Sequence, residues 1–355
     1  MSSAVWRLAE SQLREWLGRL LGEGYTVVAP VRTDGVPLFG RIRSADLATL
    51  SPSGKTRWSP KEFLFPRAET LYTYAVDGGT VRVSDPPPRG TRQVLFGVRP
   101  CDAAGLARLD SAFLGGTPDP VYGERRRGTT VVSAACADAD PECFCTAVCG
   151  SPIGEEGSDA QIVPLDGGWL VRSLTPKGAA LIEATSARWT PASSRERARI
   201  EEIGGRVAAQ IGRGPVPREW GRLLEQGFAH PAWKRVAEHC LGCGICAYVC
   251  PSCSCFDMNH EGNAWCGTQC RSWDACTFAL FTRHASGHNP RSSKSDRYRQ
   301  RVLHKFAFSS AESQAFRCLG CGRCIALCPA GVNIVEAAQA VVTAVQEEEA
   351  GNAGG

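Results

Sequence analysis

Eight of the 18 cysteines fall into two copies of one pattern, C-x2-C-x2-C-x3-C-P, at residues 240–251 and 318–329. Three thiolates this close in sequence can bind three corners of an iron–sulfur cube, and in two-cluster ferredoxins the fourth cysteine of each run binds the other cube. The pattern therefore predicts two 4Fe–4S clusters with crossed ligands. The predicted sets are Cys240, Cys243, Cys246 and Cys328 for cluster one, and Cys318, Cys321, Cys324 and Cys250 for cluster two.

Structural zinc is the alternative use of clustered cysteines. Zinc sites usually combine separated pairs of Cys or His residues. A run of three cysteines with a fourth before proline, present twice, fits that arrangement poorly, so iron–sulfur binding is favoured. The 67 residues between the two copies carry helical patterns at 272–284 and 296–306. This spacer favours an α-helical ferredoxin domain over the small bacterial kind.

Four further cysteines lie in the N-terminal half. Cys101 and Cys136 each follow a predicted strand, and Cys143 and Cys145 come in the next loop. If the two strands are parallel, their cysteines emerge at the carboxyl edge of the sheet, where open α/β sheets bind ligands. Two interpretations stay open here. The four thiols could bind a third iron–sulfur cluster, or they could be buried apolar thiols.

The remaining cysteines have no clear pattern. Cys253 and Cys255 extend the first motif, and Cys149, Cys266, Cys270 and Cys276 lie elsewhere. They could bind metal or pack beside the clusters. Packing is favoured for Cys253 and Cys255, because eight cysteines already complete two clusters.

The patterns between these motifs predict an α+β fold. Apolar residues at helical spacing predict a helix over 5–21. Short β-like runs follow at 25–31, 80–83, 93–98 and 129–134, and weaker ones at 161–164, 169–172 and 181–183. After about residue 218 helical patterns dominate and strand signals disappear.

Four segments follow from this organisation. We expect an α/β-type N-terminal domain over 1–190, with the possible third cluster site, and a helix and linker over 191–217. An α-helical dicluster ferredoxin domain follows over 218–346, and a flexible, acidic and Gly-rich tail over 347–355.

Composition excludes several classes of protein. A net charge of +4 over 355 residues gives no case for nucleic-acid binding. We find no signal peptide, and no run of the roughly 18 apolar residues that a membrane span needs. These features predict a cytoplasmic protein, in which clustered cysteines bind metal rather than form disulfides. The sequence has neither a G-x-G-x-x-G nor a P-loop motif, and no catalytic constellation is recognised.

Residues 271–305 carry eight Lys or Arg against two Asp. Such a stretch could be a docking face for an acidic partner, a source of positive field near a cluster, or a solvated helix face.

Seven segments together resemble the β subunit of soluble nickel–iron sulfhydrogenases. They are SPKEFLFP (59–66), FGVRPCD (96–102), CFCT (143–146), CPSCSCFD (250–257), WDAC (273–276), SGHNPR (286–291) and HKF (304–306). The sequence is equally similar to the ferredoxin-like subunit of anaerobic sulfite reductases, a paralogous group. The resemblance extends over residues 20–340.

The resemblance implies a non-catalytic subunit that relays electrons between a flavin subunit handling NAD(P)H and a separate catalytic subunit. The favoured complex is a nickel–iron hydrogenase, and an anaerobic sulfite reductase is the alternative. A structural iron–sulfur protein remains a third hypothesis of a different class.

Overall fold

The computed structural model describes residues 4–50, 54–85, 92–186, 189–308 and 316–353. Within these ranges the chain forms twelve β-strands and eleven α-helices. The strands are β1 (Val5–Leu8), β2 (Thr26–Thr33), β3 (Val36–Arg41), β4 (Ala68–Asp77), β5 (Thr80–Ser84), β6 (Gln93–Val98), β7 (Thr129–Ala134), β8 (Ala160–Leu165), β9 (Gly168–Ser173), β10 (Thr190–Pro191), β11 (Phe256–Gly262) and β12 (Cys266–Trp273). The helices are α1 (Glu10–Gly22), α2 (Pro100–Leu114), α3 (Pro120–Arg127), α4 (Pro176–Thr185), α5 (Ser194–Ala209), α6 (Trp220–Gln226), α7 (Ala232–Val236), α8 (Ile245–Tyr248), α9 (Lys294–Phe306), α10 (Arg323–Ala326) and α11 (Ile334–Ala353).

The larger sheet has eight strands in the order β10-β1-β9-β8-β7-β6-β2-β3. Its centre is parallel, because β6 pairs with β2 and β7, and β7 pairs with β8. Every residue of β6 and β7 is buried, as expected of parallel strands that are covered on both faces. The expected pair of parallel strands leading to Cys101 and Cys136 is therefore confirmed.

Helices cover both faces of this sheet. The core on one face combines strand residues with α1 and α4, and the core on the other face uses α2 and α3. Trp16 of α1 is fully buried and donates a hydrogen bond of 2.7 Å to the Thr185 hydroxyl of α4. This bond satisfies the indole N–H inside the apolar layer.

The smaller sheet is antiparallel, with the order β11-β12-β4-β5. Its strands come from two distant parts of the sequence, because β12 pairs with β4. Glu69 of β4 has a fully buried carboxylate 2.7 Å from Arg125 and 2.5 Å from Arg271 of β12. Two buried guanidinium groups thus bind one carboxylate and hold the hairpin of β11 and β12 against the N-terminal half.

This hairpin corrects the expectation that strands end before residue 218 and the predicted helix over 272–284. Residues 256–262 and 266–273 are strands, and turns follow. The hairpin forms because β4 offers it a pairing edge, which local sequence patterns do not reveal. The α+β prediction holds as a mixed α/β fold.

Two other local predictions need correction. Residues 5–8 form β1, and the helix begins only at Glu10, because β1 pairs with β9. The weak strand at 181–183 lies inside α4, whose start is capped by the Thr175 hydroxyl accepting from the N–H of Gly178. The predicted helices after residue 191 and over 296–306 are present as α5 and α9.

The C-terminal helices α6, α7, α9 and α11 form a separate apolar core, centred on Trp220, Leu224, Trp233 and Val302. Helix α11 continues to Ala353, so the expected tail over 347–355 begins as helix. No helix in the described ranges is long and apolar enough to cross a membrane.

Candidate iron–sulfur sites

The two motif loops share one backbone shape. Gly244 (φ 77°) and Gly322 (φ 72°) are left-handed and precede the short helices α8 and α10. Only glycine adopts this region without strain. A Cβ at Gly244 would lie 2.5 Å from the Phe278 ring, and one at Gly322 would overlap the Glu142 carbonyl. The glycines thus allow both the turn and the close packing of each loop.

The first motif and the end of the second surround one cavity. Its lining includes all four cysteines predicted for cluster one, which are Cys240, Cys243, Cys246 and Cys328. The backbone N–H of Gly242 points at the Cys240 sulfur (3.4 Å), and that of Val332 at the Cys328 sulfur (3.3 Å). Such N–H contacts favour the thiolate form that binds iron.

The second motif is more deeply buried. Burial raises the pKa of Cys318, Cys321 and Cys324, to about 12 for Cys324. The charge of Cys250 is a further cause that raises each of these pKa values. Cys250 therefore lies beside the second motif, although it belongs to the first in sequence. Without a metal, these thiols resist ionisation.

The four N-terminal cysteines also lie close to one another. Cys101 is in the first turn of α2, and Cys136 follows β7. Burial raises the pKa of Cys136, with a contribution from Cys143, and burial together with Cys136 raises that of Cys145 to about 12. The carboxyl edge of the sheet thus brings these four thiols into one neighbourhood.

A lysine lies against this group. The Lys55 ammonium is 2.5 Å from the Asp140 carboxylate and 3.6 Å from the Cys143 sulfur. It places positive charge where an anionic group of thiolates would need it.

The loop with Cys143 and Cys145 packs directly on the second motif. The Phe144 N–H donates to the Gly320 carbonyl (2.8 Å). A Cβ at Gly320 would lie 2.5 Å from the Cα of Cys145. No larger residue fits between the N-terminal cysteines and the second motif at this point.

Helix α2 contacts both motifs. Asp102, fully buried, accepts two hydrogen bonds from Arg323 of the second motif, at 2.6 and 2.7 Å. The same guanidinium donates to the Thr56 carbonyl (2.8 Å). One turn later, a Cβ at Gly105 would overlap Pro251 of the first motif. The arrangement of the cysteine groups therefore depends on this helix.

A further thiol group was not predicted as a unit. Cys255 and Cys276 are hydrogen-bonded, and this bond to Cys276 lowers the pKa of Cys255 to about 6. Cys253 is hydrogen-bonded to Cys250. Cys276 follows β12, so its approach to Cys255 depends on the hairpin and could not be read from spacing.

The basic stretch is only partly a surface. Arg271, Arg301 and Lys305 are buried, at 2%, 2% and 4% exposure. The expectation of a docking or solvated face is wrong for these three residues. Arg301 and Lys305 point among the cysteines, which favours the expected positive field.

The donor set fits iron–sulfur clusters. Within the described ranges no three Cys, His, Asp or Glu side chains are gathered tightly enough for a single metal ion. Cysteines that bind a cube stand around its corners, and the first four thiols stand around a cavity in this way.

Two comparisons with known proteins agree with this geometry. Residues 239–332 match the family model of the 4Fe–4S dicluster domain, so the chain is an iron–sulfur protein of the 4Fe–4S class. It is also 30% identical to sulfhydrogenase 2 subunit beta of Pyrococcus furiosus over 331 residues, which are 93% of this chain and 96% of the relative. The chain belongs to the sulfhydrogenase β-subunit family, as the resemblance in sequence had indicated.

The first prediction concerns the ion pair of Asp102 and Arg323. Asp102→Asn leaves a guanidinium buried without its counter-charge, and we expect it to lower the free energy of unfolding by about 3–5 kcal/mol. Replacing both residues, as in Asp102→Leu with Arg323→Met, should recover most of this loss. Anaerobic urea denaturation followed by circular dichroism measures the difference.

An exposed pair serves as the control. Glu15→Gln breaks the surface pair with Arg19 and should change stability by less than about 0.5 kcal/mol. If Asp102→Asn is equally harmless, α2 does not fix the motifs through this pair.

Proposed function

We propose that this chain is the electron-transfer subunit of a cytoplasmic, multi-subunit nickel–iron hydrogenase. It passes electrons between a flavin subunit that handles NAD(P)H and a separate catalytic subunit. The observation that carries the proposal is the continuous series of cysteine groups, from the edge of the N-terminal sheet through the second motif to the first. The relative's own name, which is that of a sulfhydrogenase component, supports the choice of complex.

Two 4Fe–4S clusters with crossed ligands form the centre of this proposal. Cys240, Cys243, Cys246 and Cys328 bind cluster one, and Cys318, Cys321, Cys324 and Cys250 bind cluster two. The cavity that Cys328 shares with the first motif supports the first set. The effect of Cys250 on the pKa of all three cysteines of the second motif supports the second set.

A third cluster at the sheet edge is the next part. Cys101, Cys136, Cys143 and Cys145 bind it, and Lys55 stabilises its negative charge. The contact between Phe144 and Gly320 supports a position directly beside cluster two.

A bound 4Fe–4S cluster takes up and releases one electron at a time, whereas NAD(P)H delivers a hydride. A flavin must therefore divide the electron pair, and we assign that flavin to a partner subunit. The residues of this chain exclude water from the cysteines, hold cations beside them and fix the distance between the groups.

The second prediction tests the crossed ligands. Anaerobically purified protein should contain at least about eight iron and eight sulfide per chain, since two 4Fe–4S clusters hold that number. Cys328→Ser should disturb the cluster of the first motif and leave that of Cys318, Cys321 and Cys324 intact, as followed by iron analysis and EPR. Damage confined to the second motif would show that each motif binds its own cluster.

The third prediction tests the N-terminal cluster in the full-length chain. Replacing Cys143 and Cys145 by Ser should reduce the iron content by about four per chain. Cys266→Ser, at an exposed position of the hairpin, is the matched control and should leave the iron content unchanged. Equal iron in both variants would make the N-terminal cysteines ordinary buried thiols.

The fourth prediction tests the function itself. Dithionite should reduce the isolated chain, but the chain alone should show neither oxidation of NAD(P)H nor uptake of hydrogen. Both activities should appear only after the partner subunits are added. Flavin in the pure chain, or turnover of NAD(P)H by it, would contradict a role limited to electron transfer.

A further inference from the structure

Cys253, Cys255 and Cys276 line a cavity of their own, beside the second motif. The remaining lining residues are mainly basic, and the full lining is Ser252, Cys253, Ser254, Cys255, Cys276, Arg301, His304, Lys305 and Arg317. This cavity is distinct from the one around the first motif. None of the three cysteines is needed for the two clusters or for the N-terminal group.

The three thiols come from two parts of the chain and meet in the interior. Cys253 and Cys276 are buried, at 8% and 5% exposure, and Cys255 is half-buried. Cys255 and Cys276 are within hydrogen-bonding distance, although they lie on opposite sides of a hairpin in sequence. The hairpin of β11 and β12 connects them, so the fold itself closes this group.

The cations around these thiols lack carboxylate partners. Lys61, Arg301 and Lys305 are all buried, and in the described part of the chain none of them forms an ion pair with Asp or Glu. Their contacts are with sulfur, hydroxyl and carbonyl groups. Arg301 lies 3.6 Å from the Cys253 sulfur.

The contacts of the two lysines complete this picture. Lys305 donates to the Ser252 hydroxyl (2.9 Å), and Lys61 donates to the carbonyl of Cys253 (3.0 Å). A buried cation without an anion is strongly destabilising. The anions available in this interior are thiolates.

Cluster two supplies only part of the negative charge that these cations require. Of its ligands, Cys250 is the one in the segment that carries Cys253, and Lys61 and Arg301 lie against Cys253 itself. Thiolates persist in a buried site when a metal holds them deprotonated. Three thiols, three buried cations and a cavity between them therefore indicate a bound iron–sulfur group rather than simple packing.

We propose that Cys253, Cys255 and Cys276 bind an additional 4Fe–4S cluster, with His304 at its fourth corner. His304 lines the same cavity, and imidazole replaces cysteine as an iron ligand in some clusters. This site extends the series of cysteine groups towards α9 and goes beyond the clusters of the proposed function.

Cys276→Ser in the full-length, anaerobically purified protein tests the site, because Cys276 lies far from both motifs in sequence. We expect a loss of about four iron per chain. Cys270→Ser, on the same hairpin but outside the cavity, is the control and should lose none. Iron contents that are equal in the two variants would overturn the proposal. The N-terminal cluster and the crossed clusters are tested by other variants, so their failure is distinguishable from failure here.

A second measurement applies if Cys276→Ser does not fold. Pulsed EPR of the reduced wild-type protein should show nitrogen coupling from an imidazole bound to iron. His304→Ala should remove this coupling, and His284→Ala should not. Absence of the coupling from the wild-type spectrum would overturn the assignment.

Discussion

The buried ion pair of Asp102 and Arg323 is the contact on which the arrangement of the cysteine groups depends. Neither charge could remain in the interior alone, because desolvation would cost several kcal/mol. The pair joins α2, which starts at the edge of the N-terminal sheet, to the second motif. At Gly105 the same helix meets Pro251 of the first motif. One rigid helix thus fixes the two motifs relative to Cys101, and fixed distances are what transfer of electrons between centres requires.

The interior around the cysteines is unusually cationic. Burial lowers the pKa of Lys61 to about 8, even though Cys253 and Cys250 oppose this shift. Lys61 also lies 4.2 Å from the centre of the Trp273 ring, which stabilises a desolvated cation. Iron–sulfur clusters with thiolate ligands are anionic, and nearby positive charge favours their reduced form. The cations and the bound groups therefore stabilise each other, so metal binding and folding are coupled.

The sequence predicted the features that depend on short-range pattern. Cysteine spacing indicated the two motifs, and the continuous apolar runs of β6 and β7 indicated buried parallel strands. From these strands the proximity of Cys101 and Cys136 followed. Features that depend on distant partners were missed. The strand β12 exists because β4 pairs with it and because Glu69 binds Arg271. The approach of Cys276 to Cys255, and the burial of Arg301 and Lys305 in an apparently exposed basic stretch, follow from the same packing.

The pairing of β12 with β4 has a consequence for biosynthesis. Thr70 and Cys270 face each other across the sheet but are 200 residues apart. At roughly 5–20 residues per second, a ribosome needs about 10–40 s to make the missing strand. During that time β4 offers an unpaired edge, which is the kind of surface that recruits other chains. Expression at a low translation rate thus lengthens exposure of this edge, whereas binding of a chaperone to β4 and β5 would protect the nascent chain until its own hairpin arrives.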